Sequence, residues 1–310
     1  MGKKIEGIVP VMITPYTENN QIDYESVERL IEWYIEKGSD VLFAVCQSSE
    51  MLFLSSQERS ELAKFVVRKV NGRIPVVASG HISDDPYNQL KELTASVEAG
   101  ADAVVLVSNH LDPQNRGTET FLGNLKWLMS KLPEDCPLGI YECPAPYRRL
   151  LTDEEMKFLA DSGRFTFVKD VSCDLATVTR RVQITKDSGM AILNANAAIA
   201  WDAMKAGSRG FNGVNTNFYP DLYKWLYTSW QKYPKEAEEL AAFLVMAACT
   251  EAFGYPVLAK MYHKRIGTFN TIKSRTITYD VHEKVWGIEP ILDNMMTGIE
   301  FYRNKIKGLK

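Results

Sequence analysis

The sequence contains few cysteines, no long hydrophobic run and little excess of charge of either sign. The chain has 310 residues and only five cysteines. That density excludes the paired disulfide framework of a small secreted protein. We therefore expect reduced thiols at all five positions, which are Cys46, Cys136, Cys143, Cys173 and Cys249.

Charge and hydrophobic-run length exclude two further classes of partner. The chain carries 36 basic and 39 acidic side chains, for a formal charge of −3, whereas proteins that bind nucleic acids or anionic membranes carry basic patches. The most apolar stretch, 240–249, is about half of the roughly 20 residues that a membrane-spanning helix needs. Residues 1–6 contain neither a secretory core nor a myristoylation signal. The sequence thus predicts a cytoplasmic protein with no nucleic-acid or membrane partner.

Short apolar runs alternate with amphipathic segments along the first two thirds of the chain. Several amphipathic segments begin with a Ser, Thr or Asp cap, and Thr152 and Glu155 form a capping box. Predicted helices include residues 23–37, 56–70, 84–99 and 152–160. The eight predicted strands are residues 7–13, 40–45, 75–79, 101–107, 137–141, 165–169, 190–193 and 210–214.

The spacing of these strands predicts a closed (β/α)₈ barrel. Each unit from the first strand to the eighth takes 29 residues on average, which fits one strand, one helix and two loops. The alternative is a doubly wound open sheet, which usually has a glycine-rich turn after its first strand. This chain has Thr14-Pro15-Tyr16-Thr17 at that place. We therefore predict the TIM barrel.

The residues after the eighth strand are more than one closing helix needs. Helical periodicity is present in residues 221–232, 235–252, 256–265 and 279–307. We predict a barrel core over residues 1–220 and a C-terminal helical region, 221–310, that packs on the barrel and contributes to a subunit contact. No Pro/Gly/Ser-rich linker separates the two.

Lys169 is the strongest candidate for a catalytic residue, because it ends the sixth predicted strand and the reacting groups of a barrel lie at the carboxyl ends of its strands. Period-2 alternation places it on the same side as Phe165 and Phe167. If that side is the barrel interior, desolvation disfavours the ammonium form and frees a lone pair for attack on a carbonyl, as a Schiff-base lysine requires. In the alternative, Lys169 reaches solvent or pairs with Asp170.

Two neighbouring segments fit that chemistry. Tyr141 ends the fifth strand, and a phenol near an imine can transfer protons to and from the substrate. The segment Cys46-Gln47-Ser48-Ser49-Glu50 follows the second strand. Its backbone N–H groups and hydroxyls could bind a carboxylate, although an ordinary Ser/Thr turn has the same composition.

Five segments also match one set of known motifs, in order along the chain. Residues 7–16 are similar to an opening strand, 46–50 to a Gly-Thr-Thr-Gly-Glu loop, and 141–144 to a Tyr-Asn-x-Pro turn. Residues 168–172 are similar to a strand that carries a Schiff-base lysine, and 210–220 to an eighth strand with its turn. Together they resemble the dihydrodipicolinate synthase and N-acetylneuraminate lyase superfamily of pyruvate-dependent class I aldolases.

The resemblance implies a (β/α)₈ barrel with a C-terminal helical region, a homotetramer, and neither metal nor organic cofactor. It also implies roles for particular residues. Lys169 would form an imine with pyruvate or another 2-oxo acid, and Tyr141 would transfer protons as a carbon–carbon bond forms or breaks. Ser48, beside Gln47, would bind the substrate carboxylate, and the backbone of Asn212 would lie against the bound acid.

The chain departs from this family where the second substrate, an aldehyde, binds. In the family's synthase, a hydroxyl that relays protons occupies the position of Gln47. The synthase also has a tyrosine, contributed by a neighbouring subunit, near the position of His110. The arginine that binds the aldehyde's carboxylate aligns with Pro146, with Arg148 two residues further on. Segment 194–198 has no acidic group for sugar hydroxyls. We therefore predict that Gln47 and His110 contact a 2-oxo or 2-oxo-3-deoxy acid rather than aspartate semialdehyde.

Other functions remain open at this stage. Within the same family, the chain could be a dehydratase or hydratase-aldolase, or dihydrodipicolinate synthase itself. A 2-oxo-acid sensor without catalysis would explain the altered loop after the second strand. A metal-dependent lyase or hydrolase is the remaining alternative, since side chains of ligand type end five of the strands. They are Cys46, His81, His110, Cys143 and Cys173.

Overall fold

The barrel is closed, as the strand spacing predicts. The computed structural model describes residues 3–309 and contains one sheet of parallel strands in the order β1-β8-β7-β6-β5-β4-β3-β2. A bridge between Val11 and Phe43 joins the two ends, with the Phe43 N–H donating to the Pro10 carbonyl at 2.9 Å. The strands are Gly7–Ile8 (β1), Leu42–Ala44 (β2), Val76–Ala78 (β3), Ala103–Val107 (β4), Leu138–Tyr141 (β5), Phe165–Asp170 (β6), Ala191–Asn194 (β7) and Gly210–Phe211 (β8).

The first and last strands are shorter than predicted. Pro10 has no N–H to donate, so regular pairing of β1 ends at Ile8 and only a bridge follows at Val11. In β8, a Cβ on Gly210 would lie 1.9 Å from the Gly7 carbonyl oxygen. Only glycine permits this close approach of the strands that close the barrel.

Helices surround the sheet, and α1 and α5 begin at the predicted caps Asp23 and Thr152. Asp23 accepts a hydrogen bond from the Ser26 N–H, and Thr152 and Glu155 form the reciprocal capping box. The eight helices that follow the strands are Tyr24–Glu36 (α1), Ser56–Val70 (α2), Pro86–Glu98 (α3), Thr118–Met129 (α4), Asp153–Asp161 (α5), Leu175–Thr185 (α6), Ala200–Lys205 (α7) and Pro220–Ser229 (α8).

Further helices form the C-terminal region, where Pro234–Ala248 (α9) and Ile288–Lys307 (α12) pack against α8. The predicted segment 279–307 is two helices, because Gly287 adopts a φ of +78° between them. No single helix in residues 3–309 is long and apolar enough to cross a membrane; Pro234–Ala252 and Val257–Arg265 meet that test only as a pair bent by 114°. The helices are Pro234–Ala248 (α9), Val257–Arg265 (α10), Val281–Lys284 (α11) and Ile288–Lys307 (α12). The division at residue 220 stays a prediction.

Alternation along β6 sorts its side chains between the barrel interior and the helix layer. Lys169 Nζ lies 4.3 Å from the centre of the Tyr141 ring and 5.8 Å from that of Phe43. Its neighbour Asp170 points the other way, to Arg181 of α6. The predicted inward orientation of Lys169 is therefore confirmed, and its pairing with Asp170 is wrong.

Candidate active site

A cavity of about 260 Å³ opens at the carboxyl ends of the strands, with Lys169 in its wall. The side chains that end β5 and β6 line it together with the turns after β2 and β8. Residues from the C-terminal region complete the wall. The lining includes Gln47, Ser48, Tyr141, Lys169, Asn212, Glu251, Tyr255 and Thr276.

Lys169 is a buried amine that makes no hydrogen bond or ion pair with any side chain or backbone group in residues 3–309. It is 5% exposed, which excludes the alternative in which it reaches solvent. Burial lowers the pKa of its ammonium, while Cys46, Cys143 and Glu251 oppose that shift. The neutral form that a Schiff base requires is thereby favoured.

Tyr141 lies beside Lys169 in a fixed orientation. Its hydroxyl donates to Gln47 Oε1 at 3.0 Å, and the Cys143 thiol donates to the same oxygen at 3.2 Å. Burial, with Cys143 next, raises the pKa of Tyr141 well above its ordinary value. The ring is therefore a neutral phenol whose proton points towards Gln47.

Ser48 and Asn212 both line this cavity. Ser48 belongs to a short 3₁₀ turn, Gln47–Ser49, after β2, and its hydrogen bond lowers the pKa of Tyr255, which burial raises more strongly. Asn212 follows β8, and its backbone N–H donates to the Asn194 carbonyl at 2.9 Å. Its buried side-chain amide has no partner within residues 3–309. Polar groups from two turns thus line the same cavity as Lys169.

Similarity to known proteins agrees with this geometry. The model of the Dihydrodipicolinate synthetase family matches residues 4–276. The chain belongs to this family. Its members are pyruvate-dependent class I aldolases and lyases that make or break carbon–carbon bonds. The resemblance carried by the five motifs is confirmed.

Individual members of the family have low sequence identity to this chain but share its fold. A 4-hydroxy-tetrahydrodipicolinate synthase from Psychrobacter arcticus is 26% identical over 73% of this chain and 73% of its own length. A dihydrodipicolinate synthase structure from Bacillus anthracis has a TM-score of 0.84 at 21% identity, over 94% of this chain and 99% of that one. The Acinetobacter baumannii enzyme, complexed with pyruvate, has a TM-score of 0.82 at 22% identity, over 96% and 99% of the two chains. These structures share the barrel and its helical extension.

His110 is the one predicted site residue that lies elsewhere. It belongs to a 3₁₀ turn after β4, where its Nδ1 is 2.8 Å from Asp84 Oδ1. Its carbonyl accepts a hydrogen bond from Gln89, and its ring lies 5.3 Å from that of His81. The fold brings Lys169 together with Tyr141 and the turns after β2 and β8, and leaves His110 outside the cavity lining.

The side chains of ligand type at the strand ends do not form a cluster. Within residues 3–309, no group of three or more His, Cys, Asp or Glu side chains is arranged to hold a metal ion. Cys46 and Cys143 are buried near Lys169, whereas Cys173 is exposed.

A buried ion-pair network behind the site was not predicted from the sequence. Arg181 of α6 donates to both carboxylate oxygens of Glu142, at 2.6 and 2.9 Å, and also pairs with Asp170. These two acids directly follow Tyr141 and Lys169, and all three charged groups are at most 1% exposed. Arg181 therefore joins the ends of β5 and β6 from outside the barrel.

The C-terminal contributions to the cavity were also missed. Glu251 lies in a segment predicted only to be a helix, and Tyr255 and Thr276 lie between predicted helices, yet all three line the cavity. Glu50 holds Thr276 in place, because its carboxylate accepts the Thr276 N–H at 2.8 Å and pairs with buried Lys260. Glu50 thus connects the C-terminal region to the turn that follows β2.

Proposed function

We propose that this protein is a class I lyase that forms an imine between Lys169 and the keto carbon of pyruvate or a related 2-oxo acid. The observation that carries the proposal is the buried amine of Lys169, which has no hydrogen-bond or ion-pair partner in residues 3–309 and lies 4.3 Å from the Tyr141 ring centre. The names of the curated relatives and the pyruvate bound to the Acinetobacter baumannii enzyme support the same chemistry.

The cavity suggests a role for each group around the imine. The Ser48 hydroxyl and the turn that carries it would bind the substrate carboxylate, and Asn212 would lie against the bound acid. Tyr141 would turn its proton from Gln47 Oε1 to the substrate oxygen as the imine forms and dissociates. No contact within the cavity supports the predicted substrate-binding role of His110.

The imine gives the reaction its direction of electron flow. Its protonated nitrogen is an electron sink, so cleavage of the C3–C4 bond of the substrate leaves an enamine rather than a free carbanion. The same enamine adds to an aldehyde in the reverse direction, and it would also support loss of a hydroxyl in a dehydration. We infer a cytoplasmic homo-oligomer, a dimer or tetramer; one related structure is described as the first monomeric dihydrodipicolinate synthase variant.

The second substrate is proposed to be uncharged at the end distant from the 2-oxo acid. Lys169 is the only cationic side chain among the described residues that line the cavity, and a buried carboxylate without a cationic partner is costly. Arg148 is exposed at the rim, with Nη1 3.5 Å from the Val171 carbonyl. Dihydrodipicolinate synthesis, the activity in the relatives' names, is the second candidate, since it requires a carboxylate-bearing aldehyde.

A comparison of two aldehydes tests this assignment. Condensation with pyruvate is expected to have a kcat/KM about 10-fold higher or more for glyceraldehyde than for aspartate semialdehyde, measured as pyruvate consumption. An equal or higher value for aspartate semialdehyde would contradict the uncharged-partner assignment. Arg148→Ala is the control. If the Arg148 guanidinium binds the second carboxylate, its removal would lower only the rate with aspartate semialdehyde.

A further inference from the structure

Glu251 is a carboxyl group in the active-site cavity for which the proposed chemistry has no assigned role. It lies in the 3₁₀ turn Cys249–Ala252 after α9, outside the barrel strands. It lines the cavity with Lys169, and the residue as a whole is exposed to solvent. Its carboxylate makes no hydrogen bond or ion pair with any group in residues 3–309. The carboxylate is therefore open to a molecule bound in the cavity.

Tyr141 and Glu50 of the cavity wall, and Cys143 next to it, are engaged elsewhere. Tyr141 and Cys143 both direct their protons to Gln47 Oε1, and an amide oxygen that accepts two hydrogen bonds has no proton to pass on. Glu50 accepts hydrogen bonds from Ser274 and two backbone N–H groups and pairs with Lys260. The phenol, the thiol and this carboxylate are thus poorly placed to take a proton from the substrate.

We propose that Glu251 is a further catalytic residue, the base that removes a C3 proton from the protonated Lys169–pyruvate imine. The C3–H bond breaks and its proton passes to the Glu251 carboxylate. The electron pair of that bond forms the C2=C3 double bond, while the π electrons of the C2=N bond move to nitrogen and give the neutral enamine. Protonation of the enamine by the Glu251 carboxylic acid reverses the step.

The electrostatics of the cavity agree with this role. Burial raises the pKa of Glu251, and the positive charge of Lys169 opposes the shift. A raised pKa makes the carboxylate a stronger base near neutral pH than an exposed glutamate. The ionisable groups that the charge of Glu251 influences are Lys169 and the phenols of Tyr219, Tyr223 and Tyr255. These phenols stay neutral because burial raises their pKa values.

Exchange of the pyruvate methyl hydrogens in D₂O tests the proposal without knowledge of the aldehyde. Proton NMR would follow exchange by the full-length chain, and borohydride trapping with intact-mass measurement would follow the imine in the same samples. Glu251→Gln is expected to lower the exchange rate about 100-fold or more, as for loss of a general base, while the imine adduct still forms. Glu251→Asp should recover part of the rate, and Glu283→Gln, which removes an acid of α11 outside the cavity, should exchange as wild type.

The pH profile adds a readout that a structural role would not change. Wild-type exchange is expected to slow as pH falls through the pKa of Glu251, because only the carboxylate accepts the proton, and Glu251→Gln should lack that slope. Exchange at the wild-type rate in Glu251→Gln would overturn the proposal. So would loss of the adduct in both Glu251→Gln and Glu251→Asp, since the residue would then serve imine formation or folding. Because the inference rests on the proposed function, a wild-type protein that neither traps nor exchanges pyruvate would contradict both.

Discussion

Replacing Lys169 by arginine is expected to lower the rate of pyruvate hydrogen exchange about 1,000-fold or more. Arginine keeps a cation at the end of β6, but its guanidinium does not form an imine with a ketone. The effect is large because no second lysine lines the cavity within residues 3–309. Lys260, the other buried lysine of the region, is held by Glu50 and the Lys273 carbonyl.

Proton NMR of pyruvate in D₂O measures this loss directly. Lys264→Arg is a suitable control, since that lysine is exposed on α10 and outside the cavity. Near-wild-type exchange by Lys169→Arg would mean that the enamine forms without an imine at this position. Such a result would remove the chemical basis of the proposed function.

Replacing Arg181 by methionine is expected to lower the free energy of unfolding by about 3–5 kcal/mol. The substitution leaves Glu142 and Asp170, both fully buried, without their cation. It also removes the hydrogen bond from Arg181 to the Leu151 carbonyl, 3.0 Å long. The cost comes from burying uncompensated charge rather than from lost packing, because methionine fills much of the same volume.

Arg180 provides the matched control for this prediction. It precedes Arg181 on α6 and pairs with Asp153, but both side chains of that pair are about half exposed. Arg180→Met should therefore cost less than about 1 kcal/mol in denaturant unfolding. Equal losses of unfolding free energy in the two variants would show that the buried network stabilises the fold no more than an exposed ion pair does. Because Glu142 and Asp170 follow Tyr141 and Lys169, Arg181→Met should also weaken pyruvate trapping in the protein that remains folded.

Strand order and the inward orientation of Lys169 could be predicted because both depend on local patterns. Alternation over Phe165, Phe167 and Lys169 is set by the backbone of one strand, and the recurring strand–helix unit fixes which ends meet. The same reasoning places Tyr141 beside Lys169, since neighbouring parallel strands carry them at matching positions. These features need no knowledge of how distant segments pack.

The missed residues all depend on contacts between segments that are far apart in sequence. Glu251 and Tyr255 reach the cavity because the C-terminal helices fold back over the carboxyl end of the barrel, and helical periodicity does not specify that docking. Arg181 resembles any other arginine of an amphipathic helix until Glu142 and Asp170 are known to point outwards. The shortening of β1 has a local cause, since Pro10 lacks an N–H, and it could have been predicted.

Intact-protein mass after incubation with pyruvate and borohydride tests the central claim most directly, because reduction converts a transient imine into a permanent adduct. One adduct in the wild-type protein and none in Lys169→Ala is the predicted result. Reversible pyruvate binding with no adduct in the wild-type protein would contradict the claim and favour a sensor of 2-oxo acids, and an adduct that persists in Lys169→Ala would contradict the assignment of the nucleophile.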